Sequence, residues 1–557
     1  MRIKRNANGV ILITTGLFIL TSVLTLYFSS IKDGTIFLGA DKEFHLARID
    51  TLSKLLVSGR LYTGVNPYML NHYGYGNSLF YPDFLLYIPA ILHSLGLSLA
   101  KSYVLFLSLL NFSTLTSAFL AYFYVKKSYR GALIFSFFYT FSMYRLIDLI
   151  LRMAVGEAQS FIFLPWVLVG IWEILAGNQK RWTILAISMT LMLISNINAT
   201  ITTVIMLVFI IVFNLAKLIN NKNKVIQLIK ATLLATGLSA FYLLPLLEQF
   251  FDQKFYVNSH PTLDVTPSMI SLKLLIEESF HNQAHAIGIG TVLIVCCVVI
   301  LVRINKLSYF EKTLFITALL FLIASSTLVP GSIYDNTPLH IIQFTYRLYE
   351  PVTLMLAFCS AAILGKIHSA TILSLIICIP VLITVKTTMG YHQKGYMSYL
   401  QVNQISWEKD PKSIGGFAEF LPQNAERFKN FYVKKREIKY NKSNKFMINN
   451  VKFKNGKTIF DFNGTNRTEL RLPIIYYKGY QAELIGGNGE VGKPFLNNQG
   501  LVSIRAKGKG RVSVQYRATL LQVLGTVVSI VVLVSTIIAT CIGNRWRKNE
   551  ENLNESN

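Results

Sequence analysis

The chain has 557 residues, 52% of them hydrophobic and 15% charged, more apolar surface than a soluble protein of this size can bury, which excludes an ordinary soluble enzyme. Charge is lopsided, with 54 Lys and Arg against 28 Asp and Glu for a net +26. That excess calls for no nucleic acid, because short cytoplasmic loops of membrane proteins collect Lys and Arg.

The first apolar run, 9–29, follows Arg2, Lys4 and Arg5 and lacks a small-x-small cleavage site. Its length of about twenty residues predicts a retained signal anchor with a cytoplasmic N-terminus. Further runs of spanning length cover 101–125, 131–147, 158–176, 182–197, 199–217, 226–247, 286–303, 310–329, 341–364, 369–387 and 518–541. One more, 79–97, is interrupted by Pro82, Asp83, Pro89 and His93. If it does not cross, the turns holding Lys126, Lys127 and Arg130, Lys180 and Arg181, Lys217 and Lys224, Arg303 and Lys306, and Arg545 and Arg547 all fall on the cytoplasmic side. The charge rule therefore makes 79–97 a re-entrant or interfacial helix and leaves about twelve spans, both termini cytoplasmic. Segments 30–100, 148–157, 248–285, 330–340 and 388–517 then share the outer face. The five cysteines all lie in apolar runs and imply neither a disulfide framework nor a thiolate metal site.

After Lys386 the composition turns polar. Val451 to Lys454, the pair Asn455-Gly456 and 457–462 predict a hairpin with a tight turn. Residues 502–505 and 511–516 predict a second, turning at 507–510. The expected architecture is a small β-sandwich tethered by spans at both ends. Residues 391–517 carry 23 Lys and Arg against 9 Asp and Glu, a net +14. The plain reading is a basic surface resting on anionic headgroups. The sharper one is recognition of an anionic acceptor polymer.

Directly after the first span, Asp41, His45 and Arg48 fall at i, i+4 and i+7, so a helix there lines a carboxylate, an imidazole and a guanidinium along one face. An interfacial helix with a wet polar face accounts for the same spacing. The next loop combines Asn66, His72, Gly74, Tyr75, Gly76, Tyr81 and Asp83, side chains able to stack on and hydrogen-bond a sugar, though tyrosines also gather at membrane interfaces. Glu248, Lys254, His260, His281 and His285 occupy a long outer loop; the last two, four apart, hold a metal only with a further ligand.

The succession of a span, Asp41-x-x-x-His45-x-x-Arg48, Gly59 and the run from Tyr75 to Pro82 resembles the bacterial YfhO-like membrane proteins and the group labelled 6-pyruvoyl-tetrahydropterin synthase-related membrane domain, a label that implies no pterin chemistry. Arg152-Met-Ala-Val-Gly-Glu157, Ile342-Gln-Phe-Thr-Tyr-Arg347, Ala418-Glu-Phe-Leu-Pro422 and Leu472-Pro-Ile-Ile-Tyr-Tyr-Lys-Gly479 extend the resemblance nearly end to end. Thr345 and Tyr346 depart from it, standing where Pro and Trp are more usual, and Lys478 stands where Pro is usual.

These proteins in turn resemble the GT-C glycosyltransferases. The resemblance implies an acidic residue in the first outer loop, interfacial helices after the first span and a polyprenyl-phosphate sugar donor. The fold it leads us to expect is a mainly α, polytopic, GT-C-like protein: a membrane domain over 1–387 with its outer first loop at 30–100, an extracytoplasmic β-sandwich-like domain over 388–517, a final span at 518–541 and a cytoplasmic tail over 542–557. Asp41 is then the candidate base and Glu157 a second carboxylate for the acceptor or a divalent metal. Arg152 and Arg347 are candidate phosphate ligands, because a guanidinium matches phosphate in bidentate fashion. His45, Arg48, His72, Tyr75 and Tyr81 complete the expected substrate-binding set. The implied partners are the lipid-linked donor, an anionic envelope polymer or glycolipid as acceptor, and membrane lipids. A transporter or flippase is the competing class, against which stands the crowding of polar residues at one face rather than the midplane. A non-catalytic envelope assembly protein of the same fold is another.

Overall fold

A computed structural model describes residues 2–32, 35–259, 264–281, 287–393, 398–401, 419–425, 436–441 and 446–555. In an apolar surrounding the backbone satisfies its own polar groups, and the Leu-, Ile-, Val- and Phe-rich runs accordingly become helices. Among the described residues six helices are long and apolar enough to cross a membrane: Asn8–Phe28, Leu99–Lys126, Val155–Leu175, Thr345–Leu364, Ala370–Gly390 and Leu520–Cys541. Two bent pairs raise this to as many as eight: Tyr129–Thr140 with Met143–Leu151, bent by 47°, and Lys222–Leu238 with Ala240–Asp252, bent by 72°. The expected twelve apolar runs are thus not all helices of spanning length. Runs 182–197 and 199–217 show why. Asn196 Oδ1 accepts from the Ala199 N–H at 2.9 Å and caps a new helix, so the stretch divides into Thr183–Leu193 and Ile197–Phe213. An 11-residue helix reaches only about 16 Å, roughly half of a hydrocarbon core.

The ends of the helices fix the path of the chain. Thr14 Oγ1 and Tyr129 Oη hydrogen-bond at 2.7 Å, so the first helix begins beside the turn that ends Leu99–Lys126. At its far end the chain reaches Ala40, whose N–H donates to Leu151 O at 3.0 Å. The 79–97 stretch forms no helix of spanning length: it holds the end of the four-residue helix Asn77–Phe80 and the short helix Phe84–Ser94, about 16 Å long. The basic turns gather at the first-helix start. There Lys126 pairs with Glu311 at 2.5 Å, Arg130 Nη1 donates to Ile367 O at 3.1 Å, and Lys224 Nζ donates to Leu175 O at 2.7 Å.

At the opposite end lie the first loop and the sheet. Thr35–Leu38 pairs antiparallel with Ser398–Gln401, and the Ile475 N–H donates to Tyr73 O at 3.0 Å. The first expected hairpin forms: Phe446–Lys454 pairs with Lys457–Ile475 across Asn455 (φ 50°) and Gly456 (φ 73°), the left-handed pair of a tight primed turn. The second does not. Leu501–Tyr516 is one 16-residue strand, because Gly508 (φ 83°) lies opposite Gly464 at a register shift instead of turning the chain. The strands accordingly join in a single six-stranded antiparallel sheet where two stacked sheets were expected. Phe460, Leu470, Ile504, Val512 and Val514 are its buried core, with Phe446 packed on Phe462.

A third core welds sheet to first loop. Phe420 stacks on Phe80 with ring centroids 5.0 Å apart, Tyr477 Oη donates to Phe420 O at 2.9 Å, and the Tyr256 N–H donates to Leu421 O at 2.9 Å. Glu248 joins the last helix, accepting from Thr519 Oγ1 at 2.6 Å.

Candidate functional site

The site grows from two breaks in the helical bundle. After Met143–Leu146 the chain loosens into a π-helical turn, Ile147–Leu151, and then takes a left-handed residue, Met153 (φ 58°), before Val155–Leu175 begins. Wide turns of this kind recur at functional sites. They leave Arg152 between helices and Glu157 in the first turn of the next one, where a negative charge suits the helix dipole. The second break is at Gln343 (φ 62°), followed by the 3-10 turn Thr345–Leu348 that carries Arg347.

Glu157 bridges the two arginines. Its Oε2 accepts from Arg152 Nη1 at 2.7 Å and its Oε1 from Arg347 Nε at 2.7 Å, while Tyr144 Oη donates to Oε2 at 3.2 Å. Asp148 Oδ1 accepts from the same Arg152 Nη1 at 2.6 Å. Arg347 Nη1 is taken by Ile342 O and Gln343 Oε1, and Ser160 Oγ donates to Glu350 Oε1 beneath. Phe344 and Tyr346 stack at 4.9 Å, and both guanidiniums lie against this pair, Arg152 5.1 Å from the Tyr346 centroid and Arg347 5.2 Å from that of Phe344. The departure at Thr345 and Tyr346 is therefore accommodated: Tyr346 supplies a ring to Arg152, and the Thr345 N–H is anchored on Ser268 Oγ at 3.0 Å. Among the described residues, Nε and Nη2 of Arg152 have no hydrogen-bond partner, and its side chain keeps 16% exposure.

Asp41 faces this assembly. Its N–H donates to Arg152 O at 2.8 Å, and the Ala40 N–H donates to Leu151 O beside it. Only glycine fits just before: a Cβ on Gly39 would stand 2.5 Å from the carbonyl oxygens of Ile150 and Leu151. Asp41 caps Lys42–Val57 without a side-chain hydrogen bond, and its carboxylate pairs with no described residue. Burial pushes its acidity toward higher pH, as Glu157 does, while Arg152 and Arg347 pull it back. Glu419, from the segment before the sheet, senses Arg347 and Asp41, and burial raises it in the same way.

The remaining candidates divide. Tyr81 belongs at the edge, its ring 4.3 Å from the Arg48 guanidinium and its hydroxyl accepting from Asn196 Nδ2 at 3.3 Å. Gly156, next to Glu157, makes room for it. A Cβ there would stand 1.9 Å from Tyr81 Oη, so Gly156→Ala should cost roughly 1–3 kcal/mol by overpacking, read as a lower melting temperature in detergent. Arg48 is buried and committed, donating to Asp83 Oδ1 at 2.7 Å and to Pro82 O at 2.8 Å, which staples the loop to its helix. His45 is buried beside it, and both burial and Arg48 hold the imidazole well below its ordinary range, hence neutral. Tyr75 is a core residue whose hydroxyl accepts from the Phe420 N–H at 3.3 Å. His72 lies against the sheet in a separate cavity. The expected face of Asp41, His45 and Arg48 is thus split, since Asp41 is a cap with φ −91° and ψ 17°, out of helical phase.

The sequence profile of the bacterial membrane protein YfhO matches residues 64–408. The chain belongs to the YfhO family. Arg152, Glu157 and Arg347 all fall within the matched part, and Asp41 precedes it. No match is found among curated proteins. Of solved structures, the cryo-EM structure of the arabinofuranosyltransferase AftD from Mycobacteria is similar at 13% identity and a TM-score of 0.42, over 68% of this chain and 26% of that one. This YfhO-family chain therefore spans about a quarter of the protein it matches.

Among the described residues the donor set does not fit a divalent metal. Among the described residues no three His, Cys, Asp or Glu side chains are grouped to hold one. Both Glu157 oxygens are already occupied by guanidiniums, and Asp148 Oδ1 by Arg152. His281 Nδ1 is 2.6 Å from Glu277 O, whereas His260 and His285 lie outside the described residues.

Sequence reasoning missed Asp148, Tyr144, Gln343, Phe344, Glu350 and Glu419. Asp148, Tyr144 and Glu350 sit in or beside apolar runs, where a polar residue reads as a helix end. Gln343, Phe344 and Glu419 carried a signal, since they lie inside the quoted runs Ile342 to Arg347 and Ala418 to Pro422.

Proposed function

We propose that this protein is a membrane glycosyltransferase of GT-C type that moves a sugar from a polyprenyl-phosphate donor to an envelope polymer or glycolipid on the outer face. The observation that carries the reading is an unpaired carboxylate, Asp41, hydrogen-bonded through its backbone to Arg152, whose guanidinium keeps free donors. A transferase of this class needs those two functions side by side: a base for the acceptor hydroxyl and cations for the leaving phosphate.

The step balances without a further reagent. Asp41 takes the proton of the acceptor hydroxyl as its oxygen attacks the anomeric carbon. The bond from that carbon to the phosphate oxygen breaks, and the charge arriving on the phosphate is met by Arg152 and Arg347. Glu157 holds the two guanidiniums apart and aimed. Tyr81 and the Phe344–Tyr346 pair provide rings for the sugar or the lipid neck to pack on.

Membranes carrying the protein, given a radiolabelled polyprenyl-phosphate hexose and an envelope extract, should release free polyprenyl phosphate. Donor that stays intact with several sugars and extracts defeats the proposal. The orientation has its own test in a cysteine-free background. Asn488→Cys on the sheet should react with an impermeant thiol reagent in intact cells, and Asn223→Cys at the basic end should be shielded; the opposite pattern reverses the active face.

A further inference from the structure

A cavity of about 210 Å³ opens where the first loop meets the sheet, and none of its lining residues belongs to the Asp41 site. The loop enters it under constraint: Leu70, Asn71 and His72 are three successive left-handed residues (φ 56°, 50° and 65°), an arrangement that persists only where the surroundings hold it. The hairpin tip supplies the other wall. Gly456 sits against Pro67, where a Cβ would come within 3.0 Å of the proline ring.

The lining chemistry is one-signed. Arg436, Lys454 and Lys457 contribute three cations, His72, Phe453 and Tyr480 stand between them, and among the described residues no carboxylate lines the cavity. Arg436 lies over the Phe453 ring at 4.0 Å, and its Nε is buried without a hydrogen-bond partner. A buried donor left unmade costs free energy, which an entering acceptor recovers. Burial lowers Arg436 to about 10, still cationic at neutral pH. Burial, with Arg436 and Lys54 nearby, lowers His72, so the imidazole is neutral and available as a hydrogen-bonding partner.

Size narrows the ligand. Small-molecule sites run to roughly 300–1,000 Å³. A space of 210 Å³ takes one phosphate with a short polyol, not a lipid-linked sugar. From this lining and volume we infer that the cavity is a binding site for a phosphate ester of a small polyol, clamped by Arg436, Lys454 and Lys457. The inference does not depend on glycosyl transfer, because it concerns binding at residues outside that machinery.

The test is calorimetric titration of the detergent-purified full chain with glycerol phosphate, and separately with vesicles of phosphatidylglycerol. Glycerol phosphate should bind, and Arg436→Gln and Lys457→Gln should each weaken it about tenfold, the loss of one charge-assisted contact, while Lys493→Gln on the same sheet changes nothing. Lys457→Gln, at the start of its strand, reads the same cavity should Arg436→Gln fail to fold. Vesicle binding that also falls in these variants identifies a lipid headgroup as the source of the ester. Vesicle binding that is untouched by them leaves the soluble ester as the ligand. Failure of glycerol phosphate to bind, or binding equal in wild type and both variants, overturns the inference.

Discussion

Asp41→Asn should lower sugar transfer by roughly 10²–10⁴-fold while leaving membrane abundance and melting temperature at wild-type values, the range expected when a positioned base is removed. The clean separation follows from geometry. The Asp41 side chain caps nothing and pairs with no described residue, so the near-isosteric amide breaks no side-chain contact. Its backbone bond to Arg152 O survives the change. The pH dependence carries the second half of the prediction. A base works only when deprotonated, and burial raises Asp41 from the ordinary carboxylate range. The acid limb of kcat/KM should therefore lie above that range, with activity rising as pH rises through it, and Asp41→Asn should abolish that limb. Full transfer activity in Asp41→Asn at normal abundance removes Asp41 as the base.

How much of this was visible in the sequence depends on the kind of signal. The chain path was legible, because Lys126, Arg130 and Lys224 mark an end by charge and the structure gathers them at one end. The same count predicts that 79–97 does not cross, and the structure gives that stretch only short helices. The number of spanning helices was not legible, since a run such as 182–197 has spanning hydropathy yet folds as the 11-residue helix Thr183–Leu193. Asn455-Gly456 announced its turn through backbone preference, whereas the glycines at 508 and 510 announced a turn that does not form, and the sheet uses Gly508 at a shift of register. At the site, Asp41, Arg152, Glu157 and Arg347 were singled out by the resemblance, and the structure brings them together. Their mutual contacts were not legible, because Glu157 and Arg347 are 190 residues apart in the chain and meet only through two helix breaks. Helical spacing placed Arg48 beside His45, 3.5 Å away, but could not show its ion pair with Asp83, which comes from the following loop.

Glu157 should behave in the opposite way to Asp41. Removing it by Glu157→Ala leaves two guanidiniums, Arg152 and Arg347, with an uncompensated buried interface, and losing one member of a buried ionic group costs roughly 3–5 kcal/mol. Melting temperature in detergent should fall steeply, with membrane abundance, and activity should vanish as a consequence. Two comparisons isolate the cause. Arg347→Met alone strands Glu157 on Arg152 and should also destabilise, yet Glu157→Ala combined with Arg347→Met should lose less than the sum of the two, since neither charge then lacks the other. Asp148 accepts from the same Arg152 Nη1, so Arg152 retains a partner in every one of these variants. Additive losses would mean that Arg347 and Glu157 stabilise the protein independently, and the bridge between the two helix breaks would then have no role in aiming Arg347 at a leaving phosphate.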